Sequence, residues 1–169
     1  METIVQLKVD GVNKGLCEDW QNKLTKASGI KRLSELFIRG IDFCISEDFP
    51  TLEFLRNNFK GKCEKHGIFI DHEIKYEENF PHMVLNGDCN ASLLYDQYNV
   101  SQLYVRHKSK VKVVVKDHAI LTIDAFDDSQ IDIETLSNSC KAFVNLYGNA
   151  NVIHKGTRVV IRKKNKETY

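Results

Sequence analysis

The residues best suited to chemistry in this chain are its five cysteines and six histidines. Cys63-x-x-His66 sets two metal-ligand types three positions apart, and His72 and His82 follow. Zinc asks for three or four N or S ligands at tetrahedral positions, commonly built from two close pairs. Here there is one close pair and two scattered histidines. The same residues read as a helix end, with His66 near the terminal carbonyls and Gly67 as the capping glycine. No metal site is expected. A cysteine nucleophile needs a thiolate beside a base. None of Cys17, Cys44, Cys63, Cys89 and Cys140 has such a context, and the Asp117-His118 pair falls in a turn. P-loop, GxSxG, HExxH and Gly-rich dinucleotide motifs are absent. No catalytic residue, cofactor site or metal ligand is assigned, and the chain is not expected to be an enzyme.

Composition points the same way. The formal charge of +1 over 169 residues gives no overall pull towards nucleic acid or acidic membranes. The hydrophobic share of 42% is enough for a core in one large domain or two small ones. An odd number of widely spaced cysteines without a CxxC fits free thiols in a reducing compartment. The start, METIVQLKVDG, has no apolar run of signal-peptide length. A cytoplasmic or virion-associated protein is expected, with no membrane partner.

The elements that would position these residues change character along the chain. Thr3–Val9 alternates and predicts a short strand ending at Asp10-Gly11. A helix is expected near Lys14–Lys26, where Leu16, Cys17, Trp20 and Leu24 form one stripe. Ser28-Gly29 breaks it. A second helix is expected near Ile30–Cys44, with Gly40 inside it. Ser46–Pro50 is a stop-and-restart signal, with Asp48 or Phe49 as cap and Pro50 early in a third helix carrying Leu52, Leu55 and Phe59. The expectation is a small N-terminal domain, residues 1–67, of one strand and three helices.

Residues 68–169 read as strands. Ile68–Ile70, His72–Tyr76 and Met83–Leu85 come first, then the Asn86-Gly87-Asp88 turn and Ala91–Tyr95. Val100–Ser109 is a loose match to the array that follows. A ten-residue repeat then runs through KVKVVVKDHA, ILTIDAFDDS, QIDIETLSNS and KAFVNLYGNA, each an alternating strand ending in a small or polar triplet. Aligned on the triplets, the inward set is Leu103 and Val105; Val111, Val113 and Val115; Leu121, Ile123 and Ala125; Ile131, Ile133 and Thr135; Ala142, Val144 and Leu146. Cys140 is a single insertion. One such strand cannot bury its face alone, so a stack of them is the stable unit. The fold expected is α+β: a small helical N-terminal domain followed by a β-solenoid of stacked short-strand repeats.

The outward positions carry the candidate sites. Arg106, Lys108, Lys110, Lys112 and Lys116 are basic, and Asp124, Asp127, Asp128, Asp132 and Glu134 are acidic. They read as cross-rung pairs on a solvated face or as a steering surface. Tyr104, Val114, Phe126, Leu136, Phe143 and Tyr147 form an outward apolar row that must be covered or be an interface. Covering by the helices or by another side of the solenoid is one reading, and contact between subunits is the other. The solenoid's ends must be capped or paired. The C-terminal cluster Arg158, Arg162, Lys163, Lys164 and Lys166 has no base-stacking aromatics around it, so nucleic acid is not an expected partner.

The repeats KVKVVVKDHA, ILTIDAFDDS, QIDIETLSNS and AFVNLYGNA resemble auto-transporter adhesin head domains of the GIN type over about residues 90–155. That resemblance implies a β-solenoid and an adhesin-like, carbohydrate-binding role. Leu7–Gln21 (LKVDGVNKGLCEDWQ), Gly40–Cys63 and the solenoid together resemble small proteins of Bacteroidetes phages, prophages and mobile elements. That resemblance implies a phage or mobile-element setting. The expected function is a non-enzymatic structural or binding protein that forms a homo-oligomer or joins a larger assembly. An intracellular binder that sequesters a host factor is the alternative, and a carbohydrate-binding module is a third.

Overall fold

A computed structural model describes residues 2–27, 29–77 and 79–169. The chain divides into two compact units, the residues up to His66 and Gly67–Thr168.

The first unit contains five helices: α1 (Glu2–Asn13), α2 (Glu18–Thr25), α3 (Gly29–Arg39), α4 (Ile41–Ser46) and α5 (Leu52–Asn58), then a 3-10 turn at Glu64–His66. The expected strand at Thr3–Val9 is therefore helix. Its alternation hides a second spacing: Leu7 and Gly11, four apart, are buried, while Val5 and Val9 stay exposed. Gly11 is a packing residue rather than a turn, because a Cβ there would come 2.8 Å from Leu16 and 3.2 Å from Phe49. The helix expected over Lys14–Lys26 starts later, after a turn at Lys14-Gly15. In the Ser28-Gly29 break, Ser28 lies outside the described residues, and Gly29 opens α3 at φ +74°. The single helix expected over Ile30–Cys44 is two, divided at Gly40, where a Cβ would come 3.2 Å from the Trp20 ring. The cap of α5 is Thr51, which accepts a hydrogen bond from the Phe54 N–H (3.3 Å), rather than Asp48 or Phe49. Pro50 sits outside that helix.

The second unit is a parallel β-solenoid. Its strands are β1 (Ile68–Ile70), β2 (Glu73–Glu77), β3 (His82–Asn86), β4 (Asn90–Tyr95), β5 (Val100–Val105), β6 (Lys110–Val115), β7 (Ile120–Ala125), β8 (Gln130–Thr135), β9 (Lys141–Leu146), β10 (Asn151–Lys155) and β11 (Val159–Lys163). Odd strands form one sheet, ordered β1-β3-β5-β7-β9-β11, and even strands the other, ordered β10-β8-β6-β4-β2. The solenoid makes about five turns. Each ten-residue repeat is half a coil. Consecutive repeats lie in opposite sheets, and each stacks on the repeat two further along. Val113 therefore sits between Leu93 and Ile133, and Ile123 between Leu103 and Val144. The whole inward set is buried. Each fully buried Leu or Ile contributes roughly 1.5–3 kcal/mol of transfer free energy.

The four-residue corners explain the triplets. Gln97, His107, Asp117 and Asp127 are left-handed, with φ between 56° and 61°. That conformation is costly for side chains with a Cβ. Carboxylates offset it by tying coils together: Asp117 Oδ2 accepts from the Gln97 N–H (3.0 Å) and Asp127 Oδ2 from the His107 N–H (2.8 Å). The last triplet residue turns inward, so Ala119 and Ser129 are fully buried. The insertion lengthens the corner Ser137-Asn138-Ser139, and Cys140 takes the inward place that Ala119 holds one coil earlier. Ile120 accordingly pairs with Lys141.

Candidate functional site: outer faces and the open last coil

The residues with chemical potential are held by packing. Cys63 is fully buried, and its thiol donates to the Phe59 carbonyl (3.3 Å). Burial, reinforced by the Glu64 charge, pushes that thiol from an ordinary 9.0 up to about 12. Burial also raises the Cys89 thiol. Cys44 and Cys140 are buried, and only Cys17 is exposed. Groups held as thiols in this way are poor nucleophiles and poor ligands. Among the described residues no group of three His, Cys, Asp or Glu could hold a metal ion. Asp117 spends its carboxylate on the Gln97 N–H, and the His118 ring stacks on Tyr98 at 4.4 Å. The pair forms no acid–base relay.

The six interface candidates do not share one face, because successive repeats alternate between sheets. Tyr104 and Phe143 lie at outward positions of the odd sheet, and Phe126 and Tyr147 follow its strands β7 and β9. Val114 projects from the even sheet, and Leu136 follows β8. Phe126 and Tyr147 stack at 4.6 Å and are buried, as is Tyr104. Phe143 is half-buried between the cations Lys141 (4.9 Å) and Arg162 (5.1 Å). Val114 is half-buried, and Leu136 is exposed.

The basic and acidic runs are divided in the same way. Arg106 is buried, with Nη1 donating to Asn86 Oδ1 (3.3 Å). Asp124 is buried and accepts from Gln102 Nε2 and Asn145 Nδ2. Lys112 and Asp132 are register partners on the even sheet.

Two exposed surfaces lay outside the residues picked from sequence. One is the corner leading into the odd sheet, where Tyr98 (86% exposed) and Val100 (73%) stand beside Ile120. Their signal was present in YNV and AIL, where an apolar residue opens a strand without an inward role. The other is the last coil, β10 and β11. These strands end their sheets, and no strand pairs with their outer edges among the described residues. Ile153 is 65% exposed, Val160 and Ile161 are exposed, and Val152 and Val159 are only half-buried. Gly156 closes this coil at φ +89°. A Cβ there would come 2.2 Å from Thr135 Oγ1 and 2.5 Å from its carbonyl oxygen, so no other residue fits.

The fold and these surfaces define an α+β protein whose larger unit is a two-sheet parallel β-solenoid with an open end. Comparison of the chain with protein-family models, curated proteins and solved structures found no match in any of the three. No helix among the described residues is long and apolar enough to cross a membrane.

Proposed function

We propose that this chain is a non-enzymatic structural protein that self-associates through its solenoid. The observation that carries this reading is the last coil. Among the described residues no strand pairs with the outer edges of β10 and β11, and their inward and outward apolar side chains are left partly open to water. An unpaired edge is a template for another strand, and open apolar residues gain by being covered. The mechanism is geometric: a stiff stack supplies the scaffold and its end supplies the contact. The setting we propose, a virion or accessory component of a phage or mobile element, rests on the resemblance carried by Leu7–Gln21 and Gly40–Cys63. Light scattering of the purified protein over a wide range of concentration tests the reading. A mass that rises above the 19.5 kDa chain supports it, and a monomer throughout removes it.

A second reading, a binder of a different protein, draws on the corner bearing Tyr98, Val100 and Ile120. Exposed apolar groups clustered in this way mark contact surfaces. A monomer that loses a partner on Tyr98→Ala would favour it.

A further inference from the structure

The last coil and a half is one-sided in charge. From Lys141 to Lys166 the chain has seven basic residues and no acidic one. Elsewhere the solenoid sets opposite charges side by side: Lys112 has Asp132 beside it in register, and Lys155 has Glu134. The remaining six cations are Lys141, Arg158, Arg162, Lys163, Lys164 and Lys166. None of the six forms an ion pair among the described residues. Lys141 is half-buried, and the other five are exposed.

Aromatic rings and backbone hold these cations in place of carboxylates. Read along the sequence, the cluster at Arg158–Lys166 has no aromatic beside it. Pairing of β11 with β9 supplies two. It sets Val160 beside Phe143 and Arg162 beside Asn145. The Arg162 guanidinium lies 5.1 Å from the centre of the Phe143 ring and Lys141 Nζ 4.9 Å from it, while Lys166 Nζ lies 5.9 Å from the Tyr147 ring. Arg158 Nε donates to the Cys140 carbonyl (3.3 Å). A ring face attracts a cation without cancelling its charge. The result is a fixed positive field, which draws in an anion.

We infer that the outer face of β9 and β11, continued by the chain to Lys166, binds the phosphate backbone of a nucleic acid without reading its bases. Arg158 to Lys163 alone is five residue steps, roughly 16 Å of extended chain, which is too long for one small anion. A polymer with a charge on every unit matches a run of cations that no acid interrupts. Tyr147 is buried and Phe143 is held between its two cations, so the patch supplies charge rather than a platform for bases. The inference does not rest on self-association, which uses the strand edges of the last coil.

Fluorescence anisotropy with labelled DNA of about 20 nucleotides, single-stranded and duplex, tests this between about 50 and 200 mM NaCl. Both forms should bind, whatever their sequence, with log K falling against log salt at a slope of about −3 to −5. The double variant Arg162→Gln, Lys164→Gln changes two exposed side chains. It should reduce that slope by about 1.5–2 and weaken binding about tenfold or more at about 100 mM salt. The double variant Lys110→Gln, Lys112→Gln removes the same charge from the even sheet, beyond the reach of screened charges, and should stay within about twofold of the wild type. Circular dichroism checks that both variants keep the native fold.

No binding of either DNA at about 50 mM salt overturns the inference, as does binding that the two double variants weaken equally. Polyglutamate that displaces the DNA at an equal concentration of charge assigns the patch to an acidic protein segment and overturns it too. Vesicles rich in phosphatidylserine that bind where DNA does not assign it to a membrane surface, with the same consequence. A chain that stays monomeric in light scattering and still binds DNA at this patch supports the inference and removes self-association alone.

Discussion

In the coil made by β5 and β6, Leu103, Val105, Val111, Val113 and Val115 each have a coil above and below, and all are buried. In the coil made by β10 and β11, Val152 and Val159 point the same way and are only half-buried, and Ile153 and Ile161 are open. Parallel pairing and inward alternation are shared, and the strands differ in length by one residue. The difference is a neighbour. In the middle coil burial is supplied by the coils on either side, and the last coil has a neighbour on one side among the described residues. The same residue types therefore stabilise at one place and are available for contact at the other.

The largest effect that sharpens this contrast comes from the core. Ile123→Ala should lower the unfolding free energy by about 2–4 kcal/mol. Ile161→Ala, its counterpart in the last coil, should cost about 1 kcal/mol or less. Urea midpoints measure both, and equal losses would show that the end coil is as well packed as the middle. Next comes the corner. Asp117→Ala loses the bond to the Gln97 N–H and keeps a Cβ in a left-handed conformation, at a cost of about 1–2 kcal/mol. Asp117→Gly should recover part of that loss.

A smaller and opposite effect is expected at Tyr95, whose hydroxyl is buried without a hydrogen-bond partner among the described residues. Tyr95→Phe should leave thermal stability unchanged or raise it by about 1 kcal/mol at most. The smallest perturbation reads burial without altering it. A thiol reagent should modify Cys17 in the native protein and leave the four buried cysteines alone. Burial holds Cys63 protonated below about 12, so moving the reaction to moderately alkaline pH should not bring it into reach.

Much of the solenoid was legible in its residues because alternation maps directly onto inside and outside. From Leu103 to Leu146 the inward set is buried at every position. The closure of the coil was harder to read. A ten-residue repeat is compatible with strands that stack on their immediate successors. The left-handed residue at each corner decides instead that they face one another, and Gln97, His107 and Asp127 share no obvious side-chain type. That choice also scattered the outward row, since Phe126 follows a strand of the odd sheet and Leu136 a strand of the even sheet although they are ten residues apart. Near the N-terminus, Ile4, Leu7 and Gly11 fit a helix as well as the Val5-Leu7-Val9 alternation within Thr3–Val9 fits a strand, and packing around Gly11 decided. The last coil was missed because Val152 and Ile153 are adjacent apolar residues, one turned in and one turned out. Only the presence or absence of a further coil gives that pair a meaning.

The regular spacing of twenty residues has a consequence for length. Between β4 and β8 each residue lies over the one twenty positions earlier, with the corners in step. A second copy of residues 110–129 inserted after Ser129 would meet the same corner on both sides and lengthen the rod by about 4.8 Å. An insertion of ten residues would exchange the two sheets for everything downstream. The molecule can thus be measured out in whole windings, like thread on a spool, and the genetic unit for extending or shortening it is sixty nucleotides.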